Sequence, residues 1–143
     1  MIIIKTEELQ TAVDLSTQIP EFDDPYPVEV YSDRMKTGRL ILTAYVNNEI
    51  AGFKVGYDRF EDGSFYSWMG GVLPEFRKQG VAKTLADHQE KWAKKKGFNS
   101  IKMKTRKKHE AMITFSLKRG FVITGEIPKI PEEKSRIWLE KKL

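Results

Sequence analysis

The segment Arg77-Lys78-Gln79-Gly80-Val81-Ala82-Lys83 holds the residue types with the clearest chemical purpose. It follows a strand-like run that Pro74 breaks, and it opens a helical period marked by Val81, Leu85, Trp92 and Ala93. The first N–H groups of a helix have no partners within it, and the helix dipole is positive at that end. A pyrophosphate suits such a place. Gly80 has no Cβ to keep backbone amides from phosphate oxygens, Ala82 keeps the next position small, and Arg77, Lys78 and Lys83 supply countercharge. A lone glycine before a helix also occurs in ordinary strand-to-helix turns, so spacing alone leaves that alternative open.

The charge distribution agrees with an anion on this side. Residues 1–70 carry 6 Lys/Arg and 12 Asp/Glu (−6), whereas residues 71–143 carry 19 and 8 (+11). The anion could belong to nucleic acid or to a phosphorylated cofactor. The basic residues are spread over helix ends and strands with no aromatic platform among them, which argues against nucleic acid. With no cysteine the chain has no disulfide scaffold and no thiol nucleophile. Two histidines speak against a His-rich metal site, so no metal is expected. At 40% apolar residues the chain can bury a core, and no apolar run reaches the roughly 18 residues of a membrane span. The opening Met1–Glu8 turns acidic at once and does not read as a basic leader. The expectation is a soluble, cytoplasmic protein with one domain over 1–143, not bound to membrane.

The elements that must position this turn read in the order β-α-α-β-β-β-α-β-α-β-β. Residues 2–5 form a strand, and Thr6 can cap a helix whose first turn holds Glu7 and Glu8 and whose apolar face is Leu9, Ala12, Val13 and Ser16. A short helix near 28–36 follows the loop from Glu21 to Pro27. Strands at 40–46 and 49–57 flank Asn47-Asn48, a turn pair that tolerates positive φ. A strand at 64–73, the helix at 81–96 ended by Gly97, a strand at 100–105, a helix at 110–119 and strands at 121–127 and 136–141 complete the chain. His88, between Leu85 and Trp92, reads as a half-buried packing residue. Trp138 suits a core or a dimer surface, and a homodimer is open. The fold class is α/β: a mostly antiparallel sheet with one parallel crossover over the 81–96 helix.

In these residues the chain resembles the GNAT superfamily of N-acetyltransferases. Arg77-Lys78-Gln79-Gly80-Val81-Ala82 matches the family's acyl-CoA signature Arg/Gln-x-x-Gly-x-Gly/Ala, with Val72-Leu73-Pro74 as its lead-in. Ala111–Phe121 resembles the family's last conserved helix, which ends in Gly-Phe, and the element order fits along nearly the whole chain. The resemblance implies a mixed sheet in which the strands ending near Leu73 and Thr105 splay apart. It implies that acetyl-CoA binds there as cosubstrate, its pantetheine arm held by Gly70, Gly71 and Val72 and its pyrophosphate by the turn from Lys78 to Lys83. Arg106-Lys107-Lys108 could touch the 3′-phosphate, although solvent exposure is the plainer reading.

Several positions depart from the family's pattern. His109 stands where members commonly carry a CoA-holding asparagine, and it reads as a histidine at a helix start that could still hydrogen-bond. Ser116 stands where many carry the tyrosine that protonates the departing thiolate, and its hydroxyl is shorter and far less acidic. Tyr66 occupies the position at which several branches carry a Glu or His base, so it is a conceivable relay through water. The loop Glu21-Phe22-Asp23-Asp24-Pro25-Tyr26 falls where the family builds its acceptor pocket. Its carboxylates, Glu21 first, could hold and deprotonate a cationic amine between Phe22 and Tyr26.

The function implied is direct transfer of an acetyl group from acetyl-CoA to a primary amine of a small molecule, peptide or protein. Tyr66, Glu21 and Ser116 are the candidate catalytic residues. The cofactor residues are Gly70, Gly71, Val72, Arg77, Lys78, Gln79, Gly80, Val81, Ala82, Lys83 and His109. A CoA-binding regulatory module with little activity is the alternative that Ser116 motivates.

Overall fold

Seven strands form one sheet, and its central neighbours part company halfway along their length. The computed structural model describes residues 1–22 and 24–143. The strands are β1 (Ile2–Thr6), β2 (Leu40–Val46), β3 (Glu49–Tyr57), β4 (Ser64–Val72), β5 (Ser100–Arg106), β6 (Val122–Ile127) and β7 (Arg136–Lys142). Their spatial order is β1-β2-β3-β4-β5-β7-β6, and among the described residues only β4 and β5 are parallel. The expected mixed α/β class is therefore observed.

The helices are α1 (Leu9–Ser16), α2 (Val28–Arg34), α3 (Val81–Lys95) and α4 (Glu110–Lys118). The crossover from β4 to β5 runs through α3, as parallel neighbours require. Each sheet face covers its own core. On one side Leu9, Val13, Leu15, Ile19, Tyr31 and Met35 from the α1–α2 region pack on Phe53, Val55 and Tyr66. On the other, Val81, Leu85 and Ala93 of α3 pack on Leu42, Phe65, Ile101 and Leu139. The turn pair behaves as its residue types require, with Asn47 at φ 49° and Asn48 at φ 70°.

Two local expectations are corrected. Thr6 ends β1 and Glu7 and Glu8 precede α1, whose N-cap is Glu8 with no side-chain cap bond. Pairing with Leu42 of β2 holds Thr6 in the strand, so no helix starts there. His88 is exposed, and Gln89 is the buried neighbour on α3. The buried face of α3 runs through Leu85, Gln89 and Ala93, four residues apart, and leaves His88 outside it.

Candidate active site

Strand β4 is where the site is made. Its parallel pairing with β5 covers only Ser64↔Ser100 to Ser67↔Met103, although β4 continues to Val72 and β5 to Arg106. On its other edge β4 stays paired with β3 through Val72. The register steps by one residue on β3, from Val55 to Gly56, but by two on β4, from Met69 to Ser67. Trp68 is therefore a bulged residue, placed where the two central strands separate.

Beyond that apex one edge of β4 has no strand partner among the described residues. The N–H of Leu73 donates to the carbonyl of Ala51. By the alternation of an antiparallel ladder, Gly71 then also turns its polar groups toward β3, while Gly70 and Val72 turn theirs toward the gap. Of the three residues expected to meet a pantetheine arm, Gly70 thus offers its backbone groups and Val72 its N–H. Gly71 serves another purpose: a Cβ there would lie 2.9 Å from Ile19 Cδ1 and 3.2 Å from Phe22 Cε2. Its bareness lets the α1–α2 connection lie directly on the strand.

After Val72 the chain makes a short 3-10 turn at Pro74–Phe76 and enters α3 through two left-handed residues, Lys78 at φ 62° and Gly80 at φ 86°. Gly80 is the N-cap of α3, and a Cβ on it would meet only Ile2 Cδ1, at 4.0 Å. The glycine is thus required by its dihedral rather than by crowding. An open cleft of about 240 Å³ lies here, lined by Val72, Phe76, Arg77, Lys78, Gly80–Lys83 and Phe115 of α4. Lys83 projects into solvent, 3.1 Å from Asp87. Gln79 sits in the same turn, but its side-chain amide donates to the Glu75 carbonyl.

Arg77 is committed elsewhere. Its Nε donates to the Val72 carbonyl at 3.1 Å, and its two terminal nitrogens clasp Glu21 at 2.6 and 3.1 Å. The pair ties the α1–α2 connection to the rim of the cleft and holds the Glu21 carboxyl below its ordinary range. His109, the N-cap of α4, is half-buried within electrostatic reach of Glu21. Burial, then Arg106 and Lys108, lower its affinity for a proton. Glu21 and Arg77 thus come to the rim from two separate connections. Asp23 of the acidic loop lies outside the described residues.

Ser116 is buried on α4, and its hydroxyl faces the thioether sulfurs of Met103 at 3.3 Å and Met112 at 3.9 Å. It lines a cavity of about 20 Å³, room for roughly one water, together with Lys54, Ser67 and Gln89. Sequence reasoning missed Lys54. Burial pulls its ammonium down to about 8, with Arg119 pushing the same way and Glu90 opposing.

On the opposite face of β4, Tyr66 is 2% exposed, and burial raises its phenol above the ordinary value. It belongs to an aromatic floor that sequence reasoning also missed. Trp68 packs 4.9 Å from Tyr31 and 5.9 Å from Tyr26, and Trp138 packs 5.9 Å from both Tyr66 and Phe60, centroid to centroid. Trp138 is therefore part of this floor. The available signal was alternation on β4, which puts Tyr66 and Trp68 near one another on one face.

Among the described residues no group of three or more His, Cys, Asp or Glu could hold a metal ion, and no helix is long and apolar enough to cross a membrane.

The profile of the acetyltransferase (GNAT) family matches residues 7–121. Comparison with curated protein sequences returns no significant match. Among solved structures, the chain is similar to the ribosomal-protein-S18-alanine N-acetyltransferase of Escherichia coli, with TM-score 0.84, 17% identity, and 99% of this chain and 94% of that one covered. It is similar also to Ard1 of Thermoplasma volcanium, with TM-score 0.84, 18% identity, and 99% and 97% covered. A third is a GNAT family acetyltransferase of Elizabethkingia anophelis solved with acetyl-CoA bound, with TM-score 0.82, 21% identity, and 99% and 98% covered.

Proposed function

The chain belongs to the GNAT acetyltransferase family, and from that premise we propose that it moves an acetyl group from acetyl-CoA directly to a primary amine. The observation that carries the donor side is the unpaired edge of β4 beyond Ser67, which opens beside the positive end of α3. An arm bearing amide groups pairs with such an edge as an added strand would. Gly70 presents its backbone groups to it and Val72 its N–H. The turn from Lys78 to Lys83 gives the pyrophosphate unpaired helix amides and the charges of Lys78 and Lys83. His109, at the start of α4, can hydrogen-bond. Bound there, the thioester supplies the acyl group.

The residues around the apex then act by placement. Outward N–H groups on β4 can polarise a carbonyl lying along that edge. Ser116, with its hydroxyl turned toward two thioethers, is suited to packing more than to proton delivery. Tyr66 and Glu21 have their proton affinities moved away from what a base at neutral pH requires, in opposite directions. An acceptor amine entering over the aromatic floor meets the apex from the face opposite α3 and α4.

Thermal unfolding with acetyl-CoA, and with ATP as a polyanion control, tests this reading. At about 100 times its dissociation constant, acetyl-CoA should add roughly 2.7 kcal/mol, raising Tm by several degrees. ATP should do much less, and Lys83→Glu should reduce the acetyl-CoA shift. Equal shifts from both ligands would mean that the basic turn holds polyanions in general. No shift would remove the donor assignment. Lys83 is the better probe because any side chain at Gly80 strains a left-handed backbone.

A further inference from the structure

The aromatic floor is roofed with cations. Arg34, the last residue of α2, lies with its guanidinium carbon 5.2 Å from the Tyr26 ring centre and 5.4 Å from that of Trp68. Arg59, from the β3–β4 connection, covers Tyr66 at 4.9 Å and Trp138 at 5.9 Å. The ammonium of Lys104 stands 5.2 Å from the Trp138 ring centre. Among the described residues, no carboxylate lies within 4.0 Å of Arg34, Arg59 or Lys104. The ion pairs seen involve Arg77, Lys83, Lys102, Lys107, Arg119 and Lys141 instead.

The location ties this cluster to the reaction. Ser67↔Met103 is the last β4–β5 pair, so Trp68 and Lys104 are the first residue of each strand past the apex. Three like charges are therefore gathered at the mouth of the gap, on the face away from α3 and α4. Lys104 feels the crowding: burial first, then Arg59, Arg136, Arg34 and Lys129, lower its affinity for a proton. The fork of donors on a guanidinium matches a carboxylate or phosphate in bidentate fashion.

We propose that the acceptor is an amine that also carries a carboxylate or phosphate group, which Arg34, Arg59 and Lys104 grip while the amine points into the apex. The inference rests on the acetyl-transfer reading above and gives it a substrate class. It also answers how the amine loses its proton without a well-placed carboxylate. Cations beside an ammonium disfavour it, so the bound amine shifts toward the neutral, nucleophilic form and its proton leaves to water. Polyamines and other purely cationic acceptors are repelled by the same cluster.

The experiment measures thiol release from acetyl-CoA with matched acceptors: phenylalanine against phenylalaninamide, phosphoethanolamine against ethanolamine, and spermidine. The acid of at least one pair should exceed its partner without an acid group in kcat/KM by about tenfold or more, the scale of one charge-assisted contact. The two pairs distinguish carboxylate from phosphate. Arg34→Gln and Arg59→Gln should each raise KM for the favoured acid by a similar factor, and so narrow the preference. Both side chains are exposed, so the variants should fold, and an acetyl-CoA thermal shift equal to that of the parent protein verifies it. Faster turnover of spermidine or of the amines without an acid group overturns the inference. So does an enzyme that acetyl-CoA stabilises but that turns over neither acid. An enzyme that acetyl-CoA does not stabilise instead overturns the donor reading beneath it.

Discussion

Single side chains carry information here that their neighbours in sequence do not. Lys54 lies between Phe53 and Val55 on β3, so in the sequence it is one polar position of an alternating strand. The sheet turns it inward, toward the cavity with Ser116 and Gln89, where its charge loses water. Burying the charged form costs stability while both the folded and unfolded states hold the proton. Because the folded state releases that proton near pH 8 and the unfolded state near 10.5, the cost fades as pH rises between those values. Lys54→Met should therefore raise Tm at pH 7, and the gain should shrink toward pH 10. A gain independent of pH would mean that shape rather than charge is responsible. Glu21 gives the opposite lesson. Its place in an acidic loop was legible, but its partner lies 56 positions away, and pairing with Arg77 makes it a clasp.

At the level of elements, the β4–turn–α3 unit was the most readable part of the molecule. Its glycine, its proline and its change from period two to the helical period are all local signals, and the strand, the turn and the helix start fall within a residue of expectation. What stayed hidden was the purpose of Gly71, because Ile19 and Phe22 reach it from another connection. A larger residue must push them off the strand. Gly71→Val should cost about 1–3 kcal/mol by overpacking, read as a lower denaturant midpoint. If the loop lay loosely on β4, the midpoint would not move. The start of α1 misled for a related reason: β-pairing of Thr6 outweighed its aptitude as a cap.

Across the whole molecule, the division of charge by sequence halves does not survive folding. Arg34 and Arg59 come from the acidic half, yet the sheet order sets them beside Lys104. Only a topology that places β4 next to β5, with α2 and the β3–β4 connection above them, makes that neighbourhood. The same topology leaves the two central strands joined by four residue pairs, from Ser64↔Ser100 to Ser67↔Met103. The sheet is thus two leaves, β1–β4 and β5–β7, on a short spine. Amide exchange at Gly70 and Val72 should be fast in the free protein and slowed by acetyl-CoA, while Ile101 and Leu139 stay protected throughout. Slow exchange at Gly70 and Val72 without ligand would mean that the edge is already covered.

With so short a spine, the angle between the leaves rests largely on α3, whose Val81, Leu85 and Ala93 pack on residues of both. An arm lying between them would act as a bookmark and hold the opening at one width. The tightness with which the donor is held and the stiffness of the molecule are then one free energy measured in two ways, so any substitution that locks the leaves at that width should tighten donor binding without touching the donor.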